Sequence, residues 1–476
     1  MRGFILLAFL ALLAGCMVGP DYRRPAMDIP QSFRYETPDA QETVNTFWWK
    51  QFQDTVLDDL IAEALKNNKN VKIAAANIEQ AAGALTQTRS PLFPQVNYSA
   101  TGTRQRASEL GAAPVPSTVP NPQTSFQLLA GANWELDLWG RIRRLSEAAR
   151  ADLLASEEAR RGVVLSLVAS VAGSYIQLLG LDEQLEISRR TLAAYAESVE
   201  LFELQFSHGQ VSRMNVAQAR SQYETALATI PQIESQIAQA ETALSILLGR
   251  NPGPIARGKS IFALSLPSIP AGVPSQVIER RPDIIQAEQS LIAANAQIGA
   301  AKALYFPTIS LTSAMGTASS DLEDLFKGPA HIWNYAGSIT GPIFTAGAIS
   351  GQVQQAAAGC KAALLGYEAA IQNGFADVEN ALVLREKLTD QLEAQGRLVT
   401  TLKDYAYLAR LQYDSGYSPY LTVLSAEQQL FPTELSYAQT RASLCAAYVR
   451  LYQAMGGGWV VEAEMLTQIS QPSMGR

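Results

Sequence analysis

The feature that most constrains this chain is a self-similarity held in fixed register. The segment Phe206–Gly209 recurs as Tyr413–Gly416, 207 residues on. The same offset relates Gly140–Ile142 to Gly347–Ile349, Ala169–Val171 to Ala376–Val378 and Leu248–Gly249 to Met455–Gly456. Upstream, Leu92–Pro94 and Tyr305–Pro307 stand 213 rather than 207 apart, which gives the first copy six extra residues, in the Pro-rich stretch Ala112–Pro122. Chance matches do not keep a constant offset over more than a hundred residues. The chain therefore reads as two copies, residues 55–250 and 275–456, joined by a linker at 251–274.

Each copy gives the same order: helix, two strands, a very long helix, a tight turn, a returning helix. The first helix is expected from about Val56 to Ser90, stopped by Pro91 and Pro94. Its partner opens after Arg280-Arg281 with Pro282 at the first helical position. Strands are expected at 95–106, 125–138, 308–317 and 332–345. The clearest is the second, where Phe126, Leu128, Ala130, Ala132, Trp134 and Leu136 alternate with mostly polar or small residues. No Pro falls between Gln123 and Ile230, or between Ile343 and Ser418. Helices from about 142 to 206 and 349 to 413 would each run ~98 Å at 1.5 Å per residue, a length that implies coiled-coil packing. Gly209 and Gly416 stand where a left-handed residue ends each helix, and Ser212, or Ser418 with Pro419, starts the return.

Strands of about ten residues with one apolar face and terminal aromatics have membrane-barrel dimensions, although a half-buried soluble sheet fits almost as well strand by strand. The long helices supply the context. Four strands cannot close a barrel, and an open edge in lipid leaves backbone groups unsatisfied. Two chains would give eight strands around a filled interior; three would give 12 and begin to leave a water-filled lumen. The fold class expected is therefore an α+β membrane protein, a trimeric 12-stranded β-barrel continuous with a long α-helical barrel of antiparallel hairpins.

The N-terminus gives the compartment. Arg2 precedes an apolar run from Phe4 to Gly15, too short to span a bilayer as a helix but of signal-peptide length, so residues 1–15 read as an export signal. Leu13-Ala14-Gly15-Cys16 resembles the bacterial lipobox, with Cys16 as the residue that receives diacylglycerol and an N-acyl chain; the plainer reading is a buried Cys beside a signal cut elsewhere. Cys360 and Cys445 fall ~40 Å apart along the second hairpin and are expected to be unbridged core residues. With 37 basic and 44 acidic residues the net charge is −7, which offers no basic footprint for nucleic acid. The only two histidines, His208 and His331, lie in different kinds of segment, and no Gly-rich phosphate loop with Lys occurs. No catalytic or metal site and no cofactor are expected, and energy must come from a partner.

A set of ordered motifs then carries a family resemblance: Cys16–Tyr22, Phe47–Phe52, Trp134–Ile142, Arg280–Ile284, Gly341–Gly347 and Met455–Trp459. Together they resemble the lipoprotein branch of the TolC-like outer-membrane factors, which serve efflux systems of the resistance-nodulation-division type. The resemblance implies a homotrimer in outer-membrane lipid, with residues 16–54 packing on an equatorial region and 457–476 as a tail. It implies a periplasmic adaptor meeting the hairpin tips (Gly209, Val211, Ser212, Gly416, Tyr417, Pro419) and an inner-membrane pump. Met17, where an Asp would favour inner-membrane retention in bacterial lipoproteins, agrees with the outer membrane.

The resemblance also implies a gate at the periplasmic tips. Tyr413 matches the family's link-forming Tyr, but positions where relatives carry Asp read Ser418, Thr422 and Ser425, with Asn215 in the first copy; Asp414 and Glu427 are the nearest acids. A gate held by hydrogen bonds and packing, with weak cation block, is the expectation. Two other readings compete: a channel for protein secretion, and a non-conducting coiled-coil lipoprotein. The second predicts no strands.

Overall fold

The computed structural model describes residues 17–27, 29–35, 47–108, 110, 116, 118, 120–269 and 274–457. The acylation candidate Cys16, the signal 1–15 and the tail from residue 458 lie outside them. In chain order the elements are α1 (Thr55–Asn67), α2 (Lys69–Arg89), β1 (Gln95–Gln105), β2 (Gln123–Leu136), α3 (Arg141–Ser207), α4 (Arg213–Leu247), α5 (Pro274–Arg280), α6 (Pro282–Ala303), β3 (Thr308–Ser319), β4 (His331–Thr340), α7 (Ala348–Asp414) and α8 (Tyr420–Ala454). The helices α3 and α7 have 67 residues each and α4 and α8 have 35 each. The chain divides into two compact units, Met1–Ala26 with Asn77–Ser156 and Ala287–Tyr367, and the remainder.

The first unit holds one antiparallel sheet in the order β1-β2-β3-β4. β2 and β3 are adjacent although more than 170 residues separate them in sequence, so this pairing is set by tertiary context. Below the strands the two Phe-Pro stretches receive indole donors. Trp134 Nε1–H donates to Leu92 O (3.0 Å) and Trp139 Nε1–H to Pro307 O (2.8 Å), with the Trp139 ring stacked on Phe306 at 4.6 Å. The Asp137 carboxylate accepts from the Ile142 and Arg143 N–H groups (3.0 and 2.9 Å), placing negative charge at the positive start of α3. Ala148, Ala151, Ala293 and Ala296 form a buried seam where α3 and α6 approach closely.

In the second unit the core gathers Trp48, Trp49 and Phe52, the stretch Val163–Leu181 of α3 and the end of α8. That stretch is apolar enough to cross a bilayer by composition; here most of it is buried in protein. Trp48 stacks on Tyr452 at 5.3 Å. Asp54 is a polar keystone: its carboxylate accepts from the Val56 and Leu57 N–H groups at the start of α1, from Lys259 N–H (3.0 Å) and from the Tyr175 hydroxyl (3.1 Å). Buried Arg281 is neutralised by Asp283 (2.7 Å) and Asp377 (2.8 Å).

Three local expectations are corrected. The helix read as 56–90 is broken at Asn68, which closes α1 and caps α2: its Oδ1 accepts from Asn70 and Val71 N–H, and its Nδ2 donates to Leu247 O. A short amide side chain thus outcompetes helix continuation. The last strand ends at Thr340 rather than 345, because Gly341 and Pro342 follow and Pro has no N–H for a ladder. Cys445 is buried as expected, but Cys360 is only partly so.

Candidate functional site

Both hairpin turns are built the same way. Gly209 and Gly416 adopt φ of +71° and +79°. Gly209 N–H donates to Phe206 O (2.9 Å) and Gln210 N–H to Gln205 O (2.9 Å); Gly416 N–H and Tyr417 N–H repeat this with Tyr413 O (2.9 Å) and Gln412 O (2.8 Å). This paired bonding satisfies carbonyls at each helix end. A Cβ at either glycine would meet nothing within 4 Å, so the backbone angle, not space, requires glycine. Ser212 precedes α4 and its hydroxyl bonds Asn215 Oδ1 (2.6 Å), so the Asn215 side chain is used within its own turn. Val211 packs partly into the neighbouring cluster, while Tyr417 is 85% exposed and Pro419 precedes α8.

Tyr413 is held by aromatic packing. Its ring lies 5.5 Å from Tyr420 and 6.2 Å from Phe202, which are themselves 4.2 Å apart. Phe202 is on α3, so the cluster ties the two hairpins with Ala219, Ala409, Val423 and Leu424 around it. Burial pushes the Tyr420 hydroxyl up to about 12, with the nearby Glu427 charge adding to it and Ser198 and Arg410 opposing.

The polar gate candidates divide. Thr422 and Ser425 are half-buried on one face of α8, and the Ser418 hydroxyl is buried with no hydrogen-bond partner. Asp414 is exposed and pairs with Arg410 one turn back (3.3 Å). Glu427 Oε2 is buried without a hydrogen-bond partner, and burial pushes its carboxyl above the usual carboxylate range against the pull of Arg410. Of the two acids, Asp414 is exposed and Glu427 is half-buried.

Sequence reasoning missed a second node. Glu434 of α8 accepts from Lys403 of α7 (2.9 Å) and Arg190 of α3 (3.3 Å), so one carboxylate joins three helices. A cavity of about 340 Å³ opens beside it, lined by Tyr195, Ala406, Glu427, Leu430 and Phe431 among others. The signal was available: the 207-residue offset puts Leu227 at the equivalent place in the first copy, so the acid breaks the repeat.

A third feature, also missed, is the seat of residues 17–24. Arg144 is 2% exposed and holds the backbone carbonyls of Val18 and Gly19 and the Asp21 carboxylate (2.7 Å), while Glu147 pairs with it from the next turn. Val18 N–H donates to Trp139 O (3.1 Å). Tyr22 and Arg24 both reach Glu288 (3.0 and 2.6 Å). Gly19 and Gly299 meet face to face; a Cβ on Gly19 would stand 2.4 Å from Gly299 Cα. No group of metal-ligating side chains occurs among the described residues.

Comparison with known proteins bears on this arrangement. The family model described as outer membrane efflux protein matches residues 60–250 and again 273–457. The chain is similar to the cation efflux system protein CusC of Escherichia coli O6:H1 (37% identical over 462 residues, 95% of this chain and 98% of that one). It is also similar to the probable outer membrane lipoprotein SilC of Salmonella typhimurium (36% identical, covering 94% and 97%). Among solved structures, the open state of the Neisseria gonorrhoeae MtrE outer membrane channel matches with a TM-score of 0.83 at 32% identity, over 93% of this chain and 99% of that one.

Proposed function

The chain belongs to the outer membrane efflux protein family, and from that premise we propose that it is the outer-membrane conduit of a tripartite efflux pump. It acts as a passive path, not an enzyme, for small molecules delivered by an inner-membrane pump of the resistance-nodulation-division type through a periplasmic adaptor. The observation that carries the reading is the sheet: four strands with one apolar and one polar face, and free edges at β1 and β4. The strands alternate in direction, so β4 of one copy runs antiparallel to β1 of the next, and a ring of copies satisfies both edges. Three copies give 12 strands and a water-filled lumen. The two equal helix pairs, each following two strands, fit an internal duplication with boundaries 55–250 and 275–456.

Diacylglycerol and an N-acyl chain on Cys16 would anchor the chain in the outer membrane. Met17, the residue after Cys16 in sequence, sits against Gly140 at the strand–helix junction. The hairpin turns around Gly209, Val211, Ser212, Gly416, Tyr417 and Pro419 meet the adaptor. The gate is formed by Tyr413 with Phe202 and Tyr420, by Ser418, Thr422 and Ser425, and by the Glu434 node; Asp414, Asn215 and Glu427 support it locally. Such a gate closes by packing and hydrogen bonds more than by charge. Planar-bilayer conductance of the purified protein, together with co-purification of an adaptor and a pump, tests the proposal. A folded protein that never conducts and captures neither partner would refute it.

A further inference from the structure

The strand register sorts the side chains of the sheet into two faces. β1 residue Tyr98 faces Ala130 of β2, which faces Met315 of β3, which faces Trp333 of β4, so these share one face. Leu128, Trp134, Leu311 and Ile339 belong to it, and Trp333 stacks on Tyr335 at 5.6 Å. This is the lipid-facing composition of a membrane barrel. The opposite face carries Asn97, Ser99 and Thr101 of β1 beside Gly131, Leu129 and Gln127 of β2. It continues through Thr312, Ala314 and Gly316 of β3 to Ala336, Asn334 and Ile332 of β4.

Charge is almost absent from this second face. The four strands contain two permanently charged side chains. Arg104 pairs in register with Thr124, two residues beyond Gly102 and Phe126, so it lies on the apolar face at the strand end next to the loop. Glu135 is on the polar face, and Arg141 grips both its oxygens (2.9 and 2.8 Å), cancelling its charge. His331 sits opposite Thr317, on the apolar face. The hydroxyls of Ser310 and Ser338 bond each other at 2.7 Å, so even this polarity is partly satisfied within the wall.

We infer that the inner wall of the membrane barrel is a lining without net charge, made mostly of hydroxyl, amide and small side chains with Leu129 and Ile332 among them, which passes cationic, anionic and neutral solutes without a preference of its own. This rests on the conduit reading and extends it to the class of cargo the barrel admits. The physical reason is range. A wall charge biases the local ion population over a Debye length of about 8–10 Å, and a lining with none creates no such bias. Any preference for charge sign must then arise outside the strands, in the helical part or in the loop that carries Asp321, Glu323, Asp324 and Lys327.

The test places charge on the inferred lumen face and reads its sign. Full-length wild type, Asn334→Asp and Asn334→Lys are compared in planar bilayers under a KCl gradient, with Met315→Lys as the variant on the other face. Each substitution is repeated in every copy of the ring. The K⁺/Cl⁻ permeability ratio is expected to rise at least ~2-fold for Asn334→Asp and to fall by a similar factor for Asn334→Lys, since ring charges act within a Debye length. Mirror-image shifts are the signature of a lining without charge. A wall already charged would respond to one sign and hardly to the other, and that asymmetry would overturn the inference. So would conducting Asn334 variants whose ratio equals that of wild type, or a Met315→Lys ratio that shifts as far as Asn334→Lys. A wild type that forms no pore would instead strike at the conduit reading itself.

Discussion

Neutralising Glu434 should loosen the tie between the two helix hairpins by an amount that can be worked from its surroundings. Its carboxylate is 9% exposed, but its partners Arg190 and Lys403 are 61% and 56% exposed, so water already screens much of each pair. Exposed pairs contribute about 0.2–1 kcal/mol each, and the burial of the shared carboxylate places these two near the upper end. Glu434→Gln therefore removes about 1–2 kcal/mol from any state that keeps all three helices joined. If opening breaks this node, the open-to-closed ratio rises roughly 5–30-fold. Single-channel open probability at zero adaptor is the readout. Arg189→Gln is the control, because the Arg189–Glu234 pair (2.8 Å) joins α3 to α4 within one hairpin and is exposed on both sides. An open probability for Glu434→Gln no higher than for Arg189→Gln would refute the reasoning.

Further outcomes follow from the same geometry. Burial raises the Glu427 carboxyl, so its ionised form is disfavoured in the fold: stability is greatest below the unfolded carboxylate range near ~4.3 and falls as pH rises through the folded value. Glu427→Gln should therefore melt higher than wild type at pH 7 and equal to it at pH 4; a lower melting temperature at pH 7 would contradict this. Gly416→Ala and Gly209→Ala each place a Cβ in the left-handed region and should cost about 1–2 kcal/mol, measured by urea unfolding followed by helical circular dichroism. Asp54→Ala removes the α1 cap and leaves Lys259 N–H and the Tyr175 hydroxyl without this acceptor, for a loss of about 2–4 kcal/mol in the same assay. Gly299→Ala would set a Cβ 2.6 Å from Val18 O. Protease should then cut within residues 17–24 of the variant while wild type is protected.

Much of the fold was legible because it rests on strong periodic signals. The two long helices were legible to within a residue or two of Arg141–Ser207 and Ala348–Asp414, since no Pro interrupts these Ala-, Leu- and Gln-rich runs and a left-handed glycine follows each. Alternation in 125–136 gave β2 and its two faces. Local side-chain bonding was not legible: Asn68 breaks a helix whose propensities favour continuity. The candidate site was read unevenly for the same reason. Gly209 and Gly416 follow from backbone angle alone, whereas the importance of Arg144, Phe202 and Glu434 comes from Asp21, Tyr413 and Arg190, partners remote in sequence that no local pattern encodes. The acids near the second turn could be named from sequence, but only the fold separates the exposed, paired Asp414 from the half-buried Glu427.

The central claim is that a four-stranded sheet with two free edges is completed by further copies of the same chain. Native mass spectrometry of the lipidated protein, released from detergent under conditions that keep its strand signal, tests this directly. A single species of three chains is predicted. A stable one-chain species retaining the sheet would contradict the account.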